Sequence, residues 1–233
     1  MAKHILISGA SRGIGRATAL ALAAPDVALT LAARSVEALE EIAAEVRMRG
    51  AEAQVVPCDL TAEPHVHRLV EVAAGAEGRI DVAIHSVGGA LVAPLHEIRT
   101  ADWEASMRQQ LTSLFLLTRY ATARMQAGGL LINIASVAAR QVFPGWAVYA
   151  AAKHGALGFL GAVREELRSE GVRVCSILPA AVDTALWDAV PGEWNRANML
   201  QPDDVAAAVQ SIVALPDYVT VEDLTIGHVA GRL

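Results

Sequence analysis

The sequence predicts an α/β fold: one doubly wound domain with a parallel sheet of about seven strands and helices on both faces. Short apolar runs alternate with longer helical patterns along the chain, and most of these runs are apolar on both faces. The first run leads through a glycine-rich turn into a helix. Strands that are apolar on both faces and separated by helices are typical of a parallel sheet covered on each side.

The predicted strands are residues 5–8, 27–32, 54–58, 82–85, 130–134, 172–178 and 224–226. Helix starts are indicated by Thr61, by Thr100, and by Pro202 followed by two aspartates, since such residues are common in the first turn of a helix. One long helix is predicted to run through residues 103–115. The whole chain, residues 1–233, is interpreted as a single domain.

The segment after the first strand reads Ser8-Gly9-Ala10-Ser11-Arg12-Gly13-Ile14-Gly15. Gly9 permits a tight turn, Gly13 lets the backbone approach a pyrophosphate, and Gly15 allows the helix to pack closely on the strand. The helix that follows offers unpaired N–H groups to phosphates. A scattered glycine trio would indicate an ordinary turn, but this placement predicts a dinucleotide site of the Rossmann type.

Tyr149 and Lys153 are four residues apart, and Ser136 lies thirteen residues before the tyrosine. Residues at i and i+4 share one face of a helix, so the ammonium can lie close to the phenol and favour its ionised form. In isolation such a pair is more often an exposed aromatic beside a solvated charge on an alanine-rich helix. The glycine turn and the alternation of strands and helices along the chain favour a proton-transfer site instead.

These motifs occur in the order seen in classical short-chain dehydrogenases/reductases, and the resemblance covers nearly the whole chain. It rests on the glycine turn, Cys58-Asp59-Leu60, Ser136, Tyr149 with Lys153, and the segment from Pro179 to Thr184. The overall pattern is most similar to 3-oxoacyl carrier-protein reductases, by analogy alone. The resemblance implies that Tyr149 is a general acid/base, that Ser136 holds the same oxygen, and that Lys153 lowers the tyrosine pKa and binds the nicotinamide ribose.

The resemblance also implies a set of contacts with the dinucleotide. Asp59 would contact the adenine, although an acid there can also serve a turn beside Thr61. Ala180 stands where the family usually has glycine, which would strain a backbone of positive φ. The expected cofactor-binding residues are Gly9, Ser11, Arg12, Gly13, Ile14, Gly15, Arg34, Asp59, Leu60, Ser86, Gly88, Tyr149, Lys153, Pro179, Val182 and Thr184.

Charge at the end of the second strand predicts a preference for NADP(H) over NAD(H). NAD sites usually carry an acidic residue there for the ribose 2′-hydroxyl. Residues 31–35 contain no carboxylate and include Arg34, while Arg12 lies in the glycine turn. Guanidinium groups are good donors to a 2′-phosphate. The alternative is that both arginines are solvated surface charges.

Two positions depart from the family pattern. His85-Ser86-Val87-Gly88 replaces the usual Asn-Asn-Ala-Gly, and we expect a structural role for His85. Gln110 occupies the position of an asparagine that holds a water in the family's proton relay, and we count it among the candidate catalytic residues. The second function class therefore stays open: a dinucleotide-binding protein with little or no catalytic activity, acting as a sensor or structural partner.

Substrate determinants are expected in two loops, one after Ser136 and one after Thr184, and their aromatic content suits a hydrophobic ketone or an acyl chain. The segment between Thr184 and Pro202 is short, which predicts an open site. The family resemblance implies a small-molecule carbonyl compound or alcohol as the substrate. The residues concerned are Arg140, Gln141, Val142, Phe143, Leu186, Trp187, Trp194 and Met199.

Composition limits the partners. The net charge of −6 and pI near 5.6 give no electrostatic footprint for nucleic acid or an anionic membrane. Cys58 and Cys175 read as inert core residues, and we assign no metal ligands. With no signal segment or long apolar stretch, a cytoplasmic protein is expected. The family resemblance implies a homodimer or homotetramer through the helices near residues 101–125 and 145–169.

Overall fold

The computed structural model describes residues 2–231 and contains seven strands and seven α-helices in that range. The strands are Lys3–Ser8 (β1), Val27–Ala33 (β2), Glu52–Pro57 (β3), Val82–His85 (β4), Leu130–Ile134 (β5), Arg173–Pro179 (β6) and Asp223–Ile226 (β7). The helices are Gly13–Leu22 (α1), Val36–Met48 (α2), Glu63–Ala74 (α3), Thr100–Met107 (α4), Ser113–Thr122 (α5), Ala147–Leu167 (α6) and Pro202–Val213 (α7).

All seven strands form one parallel sheet in the order β3-β2-β1-β4-β5-β6-β7. The predicted doubly wound α/β fold is confirmed, and each predicted strand is present within two residues of its expected bounds. The strand order reverses between β1 and β4. Such a switch point opens a crevice at the carboxyl ends of the strands, where ligands bind in this fold.

Successive residues of each strand point to opposite faces of the sheet and pack in two separate hydrophobic cores. Ile5 and Ile7 of β1 pack with helices α1, α2 and α7, whereas Leu6 packs with α3, α5 and α6. The central strands β1, β4, β5 and β6 are therefore apolar on both faces. The edge strands differ, since β3 alternates exposed and covered residues and β7 is only partly buried.

A row of buried polar side chains crosses the centre of the sheet near its carboxyl edge. Ser8 pairs in register with His85, His85 with Asn133, and Asn133 with Ser176. Their neighbours two residues earlier, such as Leu6 and Leu131, belong to the α3, α5 and α6 core. The polar row therefore faces the helices that bear the candidate catalytic residues.

Two local predictions need correction. The predicted long helix over residues 103–115 is divided by a π-helical turn, Arg108–Thr112, between α4 and α5. Helix α3 begins at Glu63 with Ala62 as its N-cap, so Thr61 is not the cap. Thr61 instead donates from its backbone N–H and its hydroxyl to Asp59. No helix within residues 2–231 is both long enough and apolar enough to cross a membrane.

Candidate active site

Two cavities meet at the carboxyl edge of the sheet. The larger, which we call the glycine-turn cavity, has a volume of about 650 Å³ and runs from the glycine turn to Lys153. The smaller, which we call the tryptophan cavity, has a volume of about 340 Å³. They share five lining residues, namely Ile14, Ala135, Tyr149, Thr184 and Leu186. The Tyr149 side chain therefore lies at the junction of the two cavities.

The glycine turn has the backbone that a phosphate cradle requires. Gly9 has φ +74°, and a Cβ there would lie 2.3 Å from the Ser86 carbonyl oxygen. A Cβ on Gly15 would lie 2.1 Å from the Gly9 carbonyl oxygen, so helix α1 approaches the turn more closely than any other residue allows. Arg12 is the N-cap of α1 and makes no side-chain cap, which leaves the N–H groups of the helix available to an anion.

The charged residues at the other end of this cavity fit the adenosine part of a dinucleotide. Arg12 and Arg34 are exposed and line the cavity, and neither guanidinium forms an ion pair with any residue between positions 2 and 231. Asp59 also lines it, with a pKa lowered by hydrogen bonds from Thr61 and, more weakly, by the charge of Arg34. The carboxylate of Asp59 thus serves a turn as well as facing the cavity.

Most of the expected cofactor-binding residues line the glycine-turn cavity, but three do not. Gly15 packs on the turn, and Pro179 and Val182 line the tryptophan cavity instead. The cavity is also lined by Ser35 and Val87, which were not predicted as cofactor-binding residues. The expected residues that line it are Gly9, Ser11, Arg12, Gly13, Ile14, Arg34, Asp59, Leu60, Ser86, Gly88, Tyr149, Lys153 and Thr184.

Ala180 is not strained. Every residue with positive φ between positions 2 and 231 is a glycine, so Ala180 adopts an ordinary backbone. The loop after β6 therefore needs no glycine at this position. Thr184 accepts a hydrogen bond from the Leu186 backbone N–H, and its methyl group approaches Gly13, which brings this loop against the glycine turn.

Ser136, Tyr149 and Lys153 converge from two elements. Ser136 follows β5 and caps a short 3₁₀ turn by accepting from the Ala138 N–H, while the other two residues lie on the first turns of α6. The Lys153 Nζ atom is 5.4 Å from the centre of the Tyr149 ring and donates to the Ile134 carbonyl oxygen at 3.5 Å. The lysine is buried, with 6% of its surface exposed.

Burial sets the protonation of this group. Burial raises the pKa of Tyr149, and a hydrogen bond with Ser136 opposes that shift. Burial also lowers the pKa of Lys153 to about 8. The expected effect of Lys153 on the tyrosine pKa stays a prediction; in this structure the ammonium lies beside the ring and donates to a backbone carbonyl. At neutral pH the phenol keeps its proton.

The structure separates the two adjacent glutamines of the π-helical turn. Gln110 is 4% exposed and donates from Nε2 to the Ser106 hydroxyl, and its Oε1 has no hydrogen-bond partner among the described residues. Gln109, which the sequence reading did not single out, lines the glycine-turn cavity and has its amide against Gly88 and Gly89. The side chain that faces the cavity is therefore that of Gln109.

A hydrogen-bond chain links the polar row of the sheet to the π-helical turn. His85 lies between Asn133 and the Ser113 hydroxyl, at 3.1 and 3.0 Å from its two ring nitrogens. The Ser113 N–H donates to Arg108, five residues back, and its hydroxyl donates to the Gln109 carbonyl. That hydroxyl takes the place of the N–H that an α-helix would offer to Gln109.

His85 is neutral in this chain of bonds. Burial lowers its pKa to about 3, and the charge of Lys153 acts in the same direction. Because the Ser113 hydroxyl gives its hydrogen to Gln109, the ring must donate to Ser113 from Nε2 and accept at Nδ1. Turning the Asn133 amide by half a rotation presents its Nδ2 to Nδ1 and gives that otherwise unpartnered atom a bond. The structural role expected for His85 matches these contacts.

The tryptophan cavity includes only some of the expected substrate determinants. Phe143, Leu186, Trp187 and Trp194 line it, but Met199 is buried in the core and Val142 is 78% exposed. Arg140 and Gln141 are also absent from its wall. Trp146 also lines the cavity and was not predicted; it is the N-cap of α6, three residues before Tyr149.

Neither cysteine suits a redox or nucleophilic role. Cys58 and Cys175 are buried, and burial raises their pKa values to about 11 and about 12. Within residues 2–231, no three His, Cys, Asp or Glu side chains are grouped as metal ligands would be.

Comparison with known proteins identifies the family. A family model described as short chain dehydrogenase matches residues 3–193. The chain is 34% identical over 223 residues to a 3-oxoacyl-(acyl-carrier-protein) reductase of Synechocystis sp., covering 92% of this chain and 90% of that protein. It is 32% identical over 241 residues to a sepiapterin reductase of Chlorobaculum tepidum, covering 99% and 98%.

A solved structure supports the same conclusion. An alcohol dehydrogenase from the archaeon Thermococcus sibiricus, complexed with 5-hydroxy-NADP, matches with a TM-score of 0.91 and 29% identity, covering 100% of this chain and 99% of that one. The chain belongs to the short-chain dehydrogenase/reductase family. It is accordingly an NAD(P)-dependent oxidoreductase that acts on CH–OH groups.

The pKa of His85 predicts a pH-dependent stability. Its value near 3 lies below the ordinary 6.5, so the unfolded chain binds more protons than the folded one between these values. The contribution of His85 to the free energy of unfolding is fully present above pH 6.5 and is lost as the pH falls toward 3. Since one pKa unit corresponds to about 1.4 kcal/mol, the loss amounts to several kcal/mol. His85→Asn removes this component, and urea unfolding from pH 7.5 to 4 measures it.

The control is His96→Asn, which replaces a histidine whose side chain is 82% exposed. The stability of His96→Asn should fall with acid in parallel with that of the parent, whereas His85→Asn should fall less. Parallel curves for all three proteins would show that His85 does not set the acid sensitivity.

Proposed function

We propose that the protein is an NADP(H)-dependent oxidoreductase that interconverts a carbonyl and a secondary alcohol, with Tyr149 as the acid/base. The observation that carries this proposal is the position of Tyr149 at the junction of the two cavities, with Ser136 on one side and Lys153 on the other. When bound, the dinucleotide supplies or accepts the hydride. The chain's own residues bind the substrate oxygen and move its proton.

Tyr149 is suited to act first as an acid. Its pKa is raised by burial, so the phenol is protonated at neutral pH and can donate to a carbonyl oxygen as that oxygen gains negative charge. Ser136 lies beside it and can hold the same oxygen through its hydroxyl. A protonated phenol favours reduction of the carbonyl over oxidation of the alcohol near pH 7.

Lys153 is suited to return the proton to the tyrosine. Its pKa of about 8 lies close to neutrality, so the amine gains and loses a proton with little free-energy change. It lies in the wall of the glycine-turn cavity and can also bind a ribose hydroxyl there. The expected role of Gln110 in holding a relay water stays a prediction. Its unpartnered, buried Oε1 provides an acceptor for one.

The preference for NADP(H) is supported by charge. Arg12 and Arg34 line the cavity without an ion-pair partner in the described chain, and no acidic residue occupies positions 31–35. The Thermococcus sibiricus structure carries a ligand related to NADP. The glycine turn, the free N-terminus of α1 and the two arginines are the groups that would hold the phosphates.

Replacing Tyr149 with Phe should lower kcat by about 10²- to 10⁴-fold, the range for a lost acid/base. NADPH affinity should stay within about threefold, since the ring and its packing remain. NADPH absorbance with aldehydes, ketones, quinones and 3-oxoacyl thioesters measures turnover. Tyr120→Phe is the matched control, because Tyr120 is outside both cavities and its hydroxyl donates to Glu63.

A fully active Tyr149→Phe variant would refute the tyrosine's role. If the unmodified protein binds NADPH tightly yet oxidises none with any carbonyl, the second function class applies, and the protein is a dinucleotide-binding member without this activity.

Replacing Arg34 with Ala should weaken NADPH binding by about 10- to 100-fold, the effect of losing a charge-assisted contact with a phosphate. NADH binding should change by less than about threefold, because NADH has no 2′-phosphate. Fluorescence titration with both cofactors measures the two affinities. Arg99→Ala is the control, since that exposed arginine pairs with Asp102 away from the cavity. Tighter binding of NADH than NADPH by the parent would contradict the preference.

A homo-oligomer is also part of the proposal. On α5, Phe115 is 41% exposed and packs edge-to-face on Phe159 of α6. Gly158 and Gly161 of α6 have open space where a Cβ would stand. Exposed aromatic residues beside glycines provide a surface on which a second copy can approach closely.

Sedimentation should therefore show a dimer or tetramer at micromolar concentration. Phe115→Arg should shift the protein toward monomer, because burying an unpaired charge opposes association. Met48→Arg is the control, since Met48 is 79% exposed on α2, on the opposite face of the sheet. A monomer for the parent protein would contradict the proposed assembly.

A further inference from the structure

The tryptophan cavity points to the class of substrate, and this inference rests on the proposed function. We propose that the protein reduces an uncharged aryl ketone, with its rings held against the tryptophans and its carbonyl oxygen at Tyr149 and Ser136. A 3-oxoacyl thioester on a carrier protein is the substrate class that this cavity disfavours.

Three of the four tryptophans of the chain form one continuous wall. Trp146 contacts the Tyr149 ring edge-to-face, with centroids 5.3 Å apart. Trp146 and Trp187 are 5.9 Å apart, and Trp187 and Trp194 are 4.8 Å apart, all with tilted planes. Since no two rings are stacked in parallel, the wall presents both faces and edges to the cavity. Such a wall suits a rigid aromatic ring better than a flexible chain.

Two of the three indole N–H groups of the wall already have acceptors. Trp187 Nε1 donates to the Val182 carbonyl at 3.0 Å, and Trp194 Nε1 donates to the Val190 carbonyl at 3.4 Å. These bonds fix the ring positions and leave the carbon surfaces for the ligand. The two rings therefore offer area for apolar contact and no hydrogen-bond donor for a polar group.

No charged residue lines the cavity in the described chain, residues 2–231. Its polar side chains are Ser136 and Tyr149, which are assigned to the reacting oxygen, together with Thr184 and Asn198. Thr184 already serves as a cap for Leu186. A carboxylate or phosphate placed against the tryptophans would lose its water without gaining a cation, which disfavours an anionic substrate strongly.

The arginines of the two surrounding loops are already paired. Arg196, two residues before the lining residue Asn198, bonds Asp183 and Asp188. Arg140, in the loop that supplies Phe143, bonds Asp223. A carrier protein with an anionic prosthetic arm would need basic groups at the entrance, and it would have to break these pairs to obtain them.

The volume also limits the ligand. At about 340 Å³ the tryptophan cavity is near the small end of ligand pockets, which range over about 300–1,000 Å³. A fused two-ring ketone fills such a space with rigid surface. A long acyl chain attached to a carrier arm extends beyond it.

Three ketones test the inference in the unmodified protein with NADPH: 2-acetylnaphthalene, its carboxylate analogue 6-acetyl-2-naphthoate, and acetoacetyl-coenzyme A. We expect kcat/KM for 2-acetylnaphthalene to exceed both others by at least about tenfold. The carboxylate analogue tests the charge requirement for the whole chain, including Arg232, which lies outside the described residues. Equal or faster reduction of either anionic compound would overturn the inference.

Substitutions of tryptophan test whether the wall of the cavity binds the ketone. Trp194→Leu should raise KM for 2-acetylnaphthalene by at least about tenfold with a smaller change in kcat, since Trp194 packs on Trp187, whereas Trp146 is the ring that packs on Tyr149. Trp103→Leu is the matched control, because the fourth tryptophan lies on α4 outside the cavity. A KM that is the same in Trp194→Leu and the parent would overturn the role of the wall, and a melting curve confirms that each variant folds.

Calorimetry separates this inference from the proposed function. The Tyr149→Phe variant saturated with NADP should bind 2-acetylnaphthalene and not its carboxylate analogue. If no carbonyl is reduced by the parent but this binding is observed, the proposed function fails and the ligand class stands. If the aryl ketone neither binds nor is reduced, the ligand class is wrong, even where another carbonyl is turned over.

Discussion

Burial of both faces of the parallel sheet is the constraint on which the rest of the structure depends. Because helices cover each face, polar chemistry is confined to the carboxyl ends of the strands, where β1 and β4 part at the switch point. The polar row from Ser8 to Ser176 lies just beneath this edge. Its side chains were removed from water on folding, where an unpaired polar group is costly. Ser8, His85 and Asn133 have hydrogen-bond partners, whereas the Ser176 hydroxyl has none among the described residues.

The same burial determines the charges at the candidate active site. Desolvation disfavours ions, so it raises the pKa of a phenol and lowers that of an amine. Burial raises the pKa of Tyr149 from its ordinary 10.0 and lowers that of Lys153 from 10.5 to about 8, so the two pKa values move apart. A proton moves downhill from the stronger acid to the stronger base, which here is from the Lys153 ammonium to a Tyr149 phenolate. Burial therefore leaves the phenol protonated at neutral pH and makes the Lys153 ammonium the stronger acid of the two, without a direct ionic contact between them.

The sequence predicted the fold because its signals are local. Apolar runs define the strands, and a glycine trio between a strand and a helix has few alternative explanations. The convergence of Ser136, Tyr149 and Lys153 came from family resemblance, because their contacts join β5 to α6. The direction of the tyrosine pKa could not be read from an i, i+4 spacing, since it depends on how completely the ring is buried.

The choice between Gln109 and Gln110 shows a different limit. A residue added by a π-helical turn rotates everything after it by about 100° around the helix axis. Counting positions along an assumed α-helix therefore cannot tell which of two adjacent glutamines faces the cavity. Trp146 was not predicted as a cavity residue for a related reason. It precedes α6, and the direction of its side chain depends on the turn that begins the helix.

The two departures from the family motif are physically connected through that turn. His85 donates to the Ser113 hydroxyl, and the hydroxyl donates to the Gln109 carbonyl that the π-helical turn leaves without its usual N–H. A neutral imidazole provides this link without placing a second positive charge near Lys153. The histidine in the sheet therefore stabilises the irregular turn in the helix, and that turn sets which glutamine reaches the glycine-turn cavity. A substitution at His85 therefore affects both the polar row of the sheet and the π-helical turn.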